Sequence, residues 1–337
     1  MLTSSSLQDM RNRARWPEFA LLSLILGVVV VAIWPDLALA QSVSAQVHLD
    51  PTFRTPAPPN DAFPQNAEHV LNGSLAMLIA GILMACVAMI DAVRFKSTVP
   101  LALVLGAAIC VYPESIDNYL AGCFWSTSHD PDHLLYFLMG REFDYYVAVM
   151  WWAFGTVLGY IFYKGLLKNV TTGGLWIAFG LSGLADIIME ELLLRYGGIY
   201  TYFGHQPLVL LGNFPWWWLF VNVSAIYMSV AIAYRYREWF NGWKSIFILA
   251  LMPLCYIGGF AFAGLPAIFV IQGDFSPLVT QLAGILSCIL GLIQAGGIMY
   301  LILGRNPLAF NEREKIEGVA ANGQQLASNA ARLSTRA

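Results

Sequence analysis

Charge is scarce in this chain. Only 12% of its 337 residues are Asp, Glu, Lys or Arg, whereas 58% are hydrophobic and the mean hydropathy is +0.62. That balance excludes an ordinary soluble domain and points to an integral membrane protein. Cysteine is also sparse. Five thiols, at positions 86, 110, 123, 255 and 288, form no CxxC pair, which argues against a zinc site and a disulfide framework. No internal repeat stands out. The Gly and Pro interruptions in "GGFAFAGLP" (258–266) have no counterpart in the first half, so an inverted-repeat transporter is disfavoured. No cofactor, metal or nucleic acid partner is expected.

What the chain has in abundance is long apolar runs. A helix needs roughly 20 residues to cross a hydrocarbon core of about 30 Å. Runs of that kind lie near 17–40, 70–93, 99–120, 145–167, 173–195, 215–235, 244–264 and 277–303. The expected fold is therefore an all-α bundle of eight transmembrane helices, with a seven-helix core over 70–304 preceded by an N-terminal helix. The segment 17–40 follows Arg11, Arg13 and Arg15 and ends in "ALAQ", so it reads either as the first span or as a signal sequence cleaved after Ala40. Lys and Arg accumulate in cytoplasmic loops. With the N-terminus inside, all 18 basic residues except Arg54, Arg141 and Arg195 fall on the inner side. Both termini are expected to be cytoplasmic, in a bacterial plasma membrane. Residues 1–16 and 305–337 read as polar tails, and 41–69 as a Pro-rich outer linker.

Against this background the carboxylates stand out, above all in "DIIMEELLLRYGGIYTYFGHQPL" (186–208). At about 1.5 Å of rise per residue, Glu114 and Asp117 lie roughly 21 and 25 Å up the third span, and Asp186 and Glu190 about 20 and 25 Å up the fifth. The four share one layer in the outer third of the membrane. Residues four apart share a helix face, which pairs Asp186 with Glu190 and Glu114 with Asn118. Glu191 stands four before Arg195 and is expected to form a structural ion pair. Buried charges are costly in a bundle, and carboxylates that share a site cannot all be ionised. One is expected to keep its proton, so that the set offers both an acid and a base. The bland alternative is polar glue between helices.

Other polar groups converge on the same end. Asp144 opens the fourth span, Asn213 and Asn222 belong to the sixth, and all five histidines (48, 69, 129, 133 and 205) fall in outer segments. "HDPDH" at 129–133 has the composition of a metal site but reads better as a solvated turn. His205 follows the acidic helix and is a candidate proton shuttle. Trp216, Trp217, Trp218, Trp151, Trp152, Tyr145 and Tyr146 fit an interfacial aromatic belt or the wall of a greasy substrate site.

Asp186-x3-Glu190 followed by "RYGGIYTYFG", together with "YPESIDNYLAG" on the third span, resembles segments of the AveC-like family of membrane spirocyclases. The likeness covers about Ala107 to Asn222. It implies a membrane-embedded, cofactor-independent enzyme of the spiroketal-forming and dehydrating kind. The positions that match are Glu114, Asn118, Tyr119, Asp186, Glu190, Gly198, Tyr200, Tyr202 and Gly204. The combined expectation is a cyclase or dehydratase acting on a lipophilic polyketide- or terpenoid-like substrate. Its catalytic set is Asp186, Glu190, Glu114 and Asp117. Asn118, Tyr119, Asp144, Tyr200, Tyr202, His205, Trp217 and Asn222 bind the substrate. Two rivals remain: a membrane terpene cyclase or sterol-type isomerase, and a proton-coupled transporter or lipid-binding protein.

Overall fold

The structure, a computed structural model, describes residues 66–309 except 139, 140 and 169, together with a small antiparallel pair, β1 (His48–Leu49) and β2 (Pro56–Ala57). The expected span 17–40 and the two polar tails lie outside the described residues. Among the described residues eight longer helices carry the fold. They are α1 (Ala67–Phe95), α2 (Val99–Ile109), α3 (Val111–Ala121), α4 (Tyr145–Leu166), α5 (Thr172–Leu192), α6 (Trp217–Arg235), α7 (Ile246–Ile271) and α8 (Pro277–Leu303). Five stretches (α1, α4, α6, α8 and Gly242–Ile271, which contains α7) are long and apolar enough to cross a membrane, and the bent α2–α3 pair makes a sixth. Many large side chains on the perimeter, among them Leu71, Ile90, Leu254 and Phe269, are more than 60% exposed. Such apolar area is stable against lipid, not water.

Helix ends follow local chemistry. Asn66 accepts a hydrogen bond from His69 N–H at the start of α1, Thr171 does the same for Gly174 at α5, and Ser276 precedes Pro277 at α8, all favourable N-terminal arrangements. The third expected span is one run in sequence but two helices in space, bent by 41° at Cys110. Pro113 explains the break, because it has no N–H to offer the Ile109 carbonyl one turn earlier. The seventh span continues to Ile271, beyond the expected end at 264, and runs through both Pro253 and Pro266. Packing of Phe260, Ala263, Ala267 and Ile271 into the core outweighs the interruption.

α7 packs on α6, α8 and α2, and α4 packs on α1 and α2. At the α1–α4 crossing Gly81 is required by close approach, since a Cβ there would stand 2.8 Å from Trp152 and 3.1 Å from the Ala153 Cβ. α5 is the exception. It packs mainly against α6, and its face toward α4 borders open space.

Short strands close one end of the bundle. β3 (Cys123–Trp125) pairs antiparallel with β6 (Tyr200–Tyr202), and β4 (Leu134–Leu138) with β5 (Arg141–Asp144). Gly122 makes the turn from α3 into β3 at φ +66°. A Cβ on it would lie 2.5 Å from the Phe203 carbonyl oxygen, so only glycine fits. The Tyr146 hydroxyl, at the start of α4, lies 2.7 Å from the Ser126 carbonyl and 3.1 Å from that of Ile199. It fastens both strands of the roof to α4.

Candidate functional site

Beneath the β3–β6 roof lies a cavity of about 640 Å³ between α4, α5 and α6, with α1 and α3 completing the wall. This is within the usual range of small-molecule sites, roughly 300–1,000 Å³. Most of its surface is apolar. Its polar groups gather at the roof end: Glu114 and Asn118 from α3, Asp186 and Glu190 from α5, Asn222 from α6, and Trp125, Tyr200 and Tyr202 from the roof.

α3 and α5 both line this space, and their carboxyl groups face it from different walls. Glu190 is held on both oxygens. The Tyr200 hydroxyl donates to Oε2 at 2.5 Å, and Asn222 Nδ2 approaches Oε1 at 3.4 Å. On the facing wall, the Tyr256 hydroxyl donates to Glu114 Oε2 at 2.5 Å, with Asn118 and Trp151 beside the same carboxyl group. Asp186 sits one turn before Glu190, with Asn222 next to it.

Four cavity-lining groups have buried polar atoms with no protein partner: Asp186 Oδ2, Asn222 Oδ1, Trp125 Nε1, and both the Oδ1 and Nδ2 of Asn118. Three of these atoms are acceptors and two are donors. Buried polar atoms are nearly always satisfied, and leaving one unmade costs about 1–3 kcal/mol. Their convergence on one hollow is what a site for an oxygenated ligand requires. Burial, and then the nearby Glu190 carboxylate, raise the Tyr200 and Tyr202 phenols of the roof well above their ordinary range. Both therefore remain protonated and can donate hydrogen bonds.

Seven of the expected site residues meet here: Glu114, Asn118, Asp186, Glu190, Tyr200, Tyr202 and Asn222. Five stand outside the cavity wall. Asp117 is fully buried, and neither of its oxygens has a hydrogen-bond partner; it is absent from the wall that Glu114 and Asn118 line. Tyr119 lies under the Arg141 guanidinium, 4.5 Å from its ring. Asp144 accepts from the Ser128 N–H and hydroxyl, both at 2.9 Å, and so shapes the β3–β4 loop. His205 is exposed, because Gly204 at φ +86° turns the chain out of the roof. Trp217 packs on Phe260 with its Nε1 toward Gln206, while its neighbour Trp218 lines the cavity. Adjacent helical residues point about 100° apart, so only one of the pair can face inward.

The expected Glu191–Arg195 ion pair is not formed among the described residues. Leu193–Gly197 winds as a π turn, which removes the four-residue register on which the pair depends. Glu191 instead accepts backbone N–H groups of Asn213 and Phe214 at 3.1–3.3 Å. In the "HDPDH" loop His129 pairs with Glu142 at 2.8 Å, and no cluster among the described residues is arranged to hold a metal. Arg141 crosses the rings of Phe124 and Tyr119 and donates to the Cys123 carbonyl at 3.0 Å. Burial lowers this guanidinium to about 10, which leaves it cationic at neutral pH.

Sequence reasoning missed Tyr256 and Trp125. Tyr256 was legible as the only hydroxyl in the core of a run of otherwise apolar residues, "LALMPLCYIGG". Trp125 reaches the site through strand pairing across 75 residues of sequence, which no local pattern announces. No family model, curated protein or solved structure matches the chain.

Proposed function

We propose that the chain is an integral-membrane cyclase or dehydratase, similar in kind to the AveC-like spirocyclases, acting on a hydroxylated lipophilic substrate of polyketide or terpenoid type. The observation that carries this reading is the set of unpartnered atoms, Asp186 Oδ2, Asn222 Oδ1, Trp125 Nε1 and the Asn118 amide, on groups that line the same hollow as three carboxyl groups. A substrate hydroxyl satisfies any of the three acceptors. A carbonyl or ether oxygen satisfies the indole N–H.

The chemistry divides between two walls. Three carboxyl groups in an apolar hollow cannot all carry charge, so a proton is shared over Asp186 and Glu190. Its transfer to the hydroxyl of a substrate hemiketal breaks that C–O bond, expels water and leaves an oxocarbenium-like centre. A second substrate hydroxyl adds to that centre, or a neighbouring C–H loses its proton. Glu114, oriented by Tyr256, accepts the proton released, and water is the other product. The four rings at the roof end, Trp125, Trp218, Tyr200 and Tyr202, shield the cation and offer it their faces.

In the orientation favoured by the basic residues, with eight spans and both termini cytoplasmic, the roof lies on the outer side of a bacterial plasma membrane. A transporter would need titratable groups along the whole path. The acid at the far end, Asp91, is committed to Lys164 Nζ and the Tyr160 hydroxyl, each at 2.9 Å, which favours catalysis at one level. The test is replacement of Asp186 by Asn, and of Glu190 and Glu114 by Gln, followed by mass spectrometry of lipid extracts at matched protein levels. Loss of product with accumulation of an uncyclised, hydrated precursor is expected. Unchanged product in all three variants would remove the assignment.

A further inference from the structure

The end of the bundle away from the roof carries cations without counter-ions. Two of its connections, the α1–α2 turn and the α6–α7 segment, are fastened together. Asn241 Oδ1 accepts the Thr98 N–H at 3.1 Å, Asn241 Nδ2 donates to the Lys96 carbonyl at 3.4 Å, and the Thr98 hydroxyl donates to the Gly242 carbonyl at 3.0 Å. Lys96 is thereby seated against Asn241, which stands three residues before Lys244.

Residues 94–98 and 235–245 contain Arg94, Lys96, Arg235, Arg237 and Lys244 against the single acid Glu238. None of the five cations forms an ion pair among the described residues. Arg94 lies 5.7 Å from the Phe95 ring centroid, Lys244 5.1 Å from that of Trp239, and Arg237 4.8 Å from that of Tyr234. Ring contacts of this kind hold a cation in place and leave its charge uncompensated. Trp239 and Trp243, beside Lys244, are 51% and 74% exposed, as suits tryptophan at a membrane–water boundary.

An apolar lane runs from this cluster into the membrane. α2 begins at the residue after Thr98, between α1 and α7, and the 3-10 turn Gly242–Ser245 packs on it. Leu101, Leu105 and Ala108, four and three residues apart, form its exposed row. The 11 residues of α2 span about 16 Å, roughly half of a hydrocarbon core. The bend at Cys110 then ends the lane, so its length is that of one leaflet.

We infer that this end binds an anionic phospholipid of the adjacent leaflet. Its phosphate lies between the α1–α2 turn and the 3-10 turn, served by Lys96 and Lys244, and one acyl chain lies along α2. Uncompensated basic clusters at the ends of spans are suited to anionic head groups, and the lane beneath supplies the place for a chain that a free phosphate lacks. None of these residues lines the cavity, and the assignment is independent of catalysis.

The test is native mass spectrometry of the full-length protein in detergent with dioleoyl phosphatidylglycerol, and with dioleoyl phosphatidylcholine as the lipid without net charge. Preferential retention of phosphatidylglycerol is expected, and neither inorganic phosphate nor the deacylated head group, glycerophosphoglycerol, displaces it. Lys96→Asn with Lys244→Gln lowers phosphatidylglycerol affinity by about tenfold or more and leaves phosphatidylcholine unchanged. Asparagine is chosen because Lys96 stands at φ +50°, a conformation that asparagine tolerates. Lys168→Gln with Arg305→Gln removes the same charge elsewhere on the chain and keeps the preference. Leu105→Asn weakens both lipids. Thermal melts establish that each variant is folded, and Arg94→Gln with Lys244→Gln replaces the first pair should it melt early. Equal retention of the two lipids, equal loss in the two charge-removing pairs, displacement by the head group alone, or unaltered binding in Leu105→Asn overturns the inference.

Discussion

Replacing Tyr200 by Phe removes one hydroxyl and little else. Tyr200 is buried, its ring is braced by Trp125 at 4.8 Å between centroids, and its oxygen donates to Glu190 Oε2 at 2.5 Å. Phenylalanine keeps the ring contact and leaves Oε2 without a donor. A hydrogen bond to a charged group contributes about 1.5–3 kcal/mol; if Glu190 relies on it to hold its working geometry and charge, the rate falls about 10- to 150-fold. The assay is product accumulation in lipid extracts from cells expressing each variant, normalised to protein, with a thermal melt in detergent to establish folding. The decisive form is a cycle with Glu190→Gln. Because the hydroxyl acts through that carboxyl group, the double variant should be scarcely worse than Glu190→Gln alone. Tyr202→Phe, whose hydroxyl does not contact Glu190, should cost less than Tyr200→Phe. Additive losses in the cycle, or equal losses for the two tyrosines, would refute the coupling of roof and acid.

Pro113→Ala restores the N–H that the break at Cys110 lacks; the α2–α3 bend should relax and swing Glu114 from the cavity, lowering product by about 10²-fold with no loss of thermal stability. Glu191→Ala strips the acceptor from the Asn213 and Phe214 N–H groups and should destabilise the loop before α6 by about 1.5–3 kcal/mol, seen as faster proteolytic cleavage there, while Glu191→Gln retains most of the protection. Lys164→Met leaves the buried Asp91 carboxylate without its cation and should cost about 3 kcal/mol in detergent unfolding. Asp91→Asn with Lys164→Met should recover most of that loss.

The helices were legible because lipid imposes a simple rule on composition. The apolar runs at 70–93, 145–167, 215–235 and 277–303 each became a helix within a few residues of the expected ends. The break in the third run was hidden because Pro113 lies where the run is already turning polar, so hydropathy carries no trace of it. In the site, four-residue spacing identified Asp186 with Glu190 and Glu114 with Asn118, because helical geometry alone decides those faces. The same logic failed at Asp117 and Trp217, where the choice between near neighbours depends on how the helix is rotated in the bundle. The roof was out of reach. Cys123–Trp125 and Tyr200–Tyr202 are three residues each, too short for an alternation, and they meet only because Gly122 and Gly198 turn the chain at the ends of two distant helices.

The attachment of both roof strands to the Tyr146 hydroxyl gives the chamber a fixed ceiling that belongs to α4. On the proposed catalytic reading, a product that outgrows the chamber would leave past α5, the helix with the least packing around the cavity, and enter the surrounding leaflet. On that reading, whatever takes up the product next would collect it from within the bilayer, and a receptor in the aqueous phase would seldom meet it.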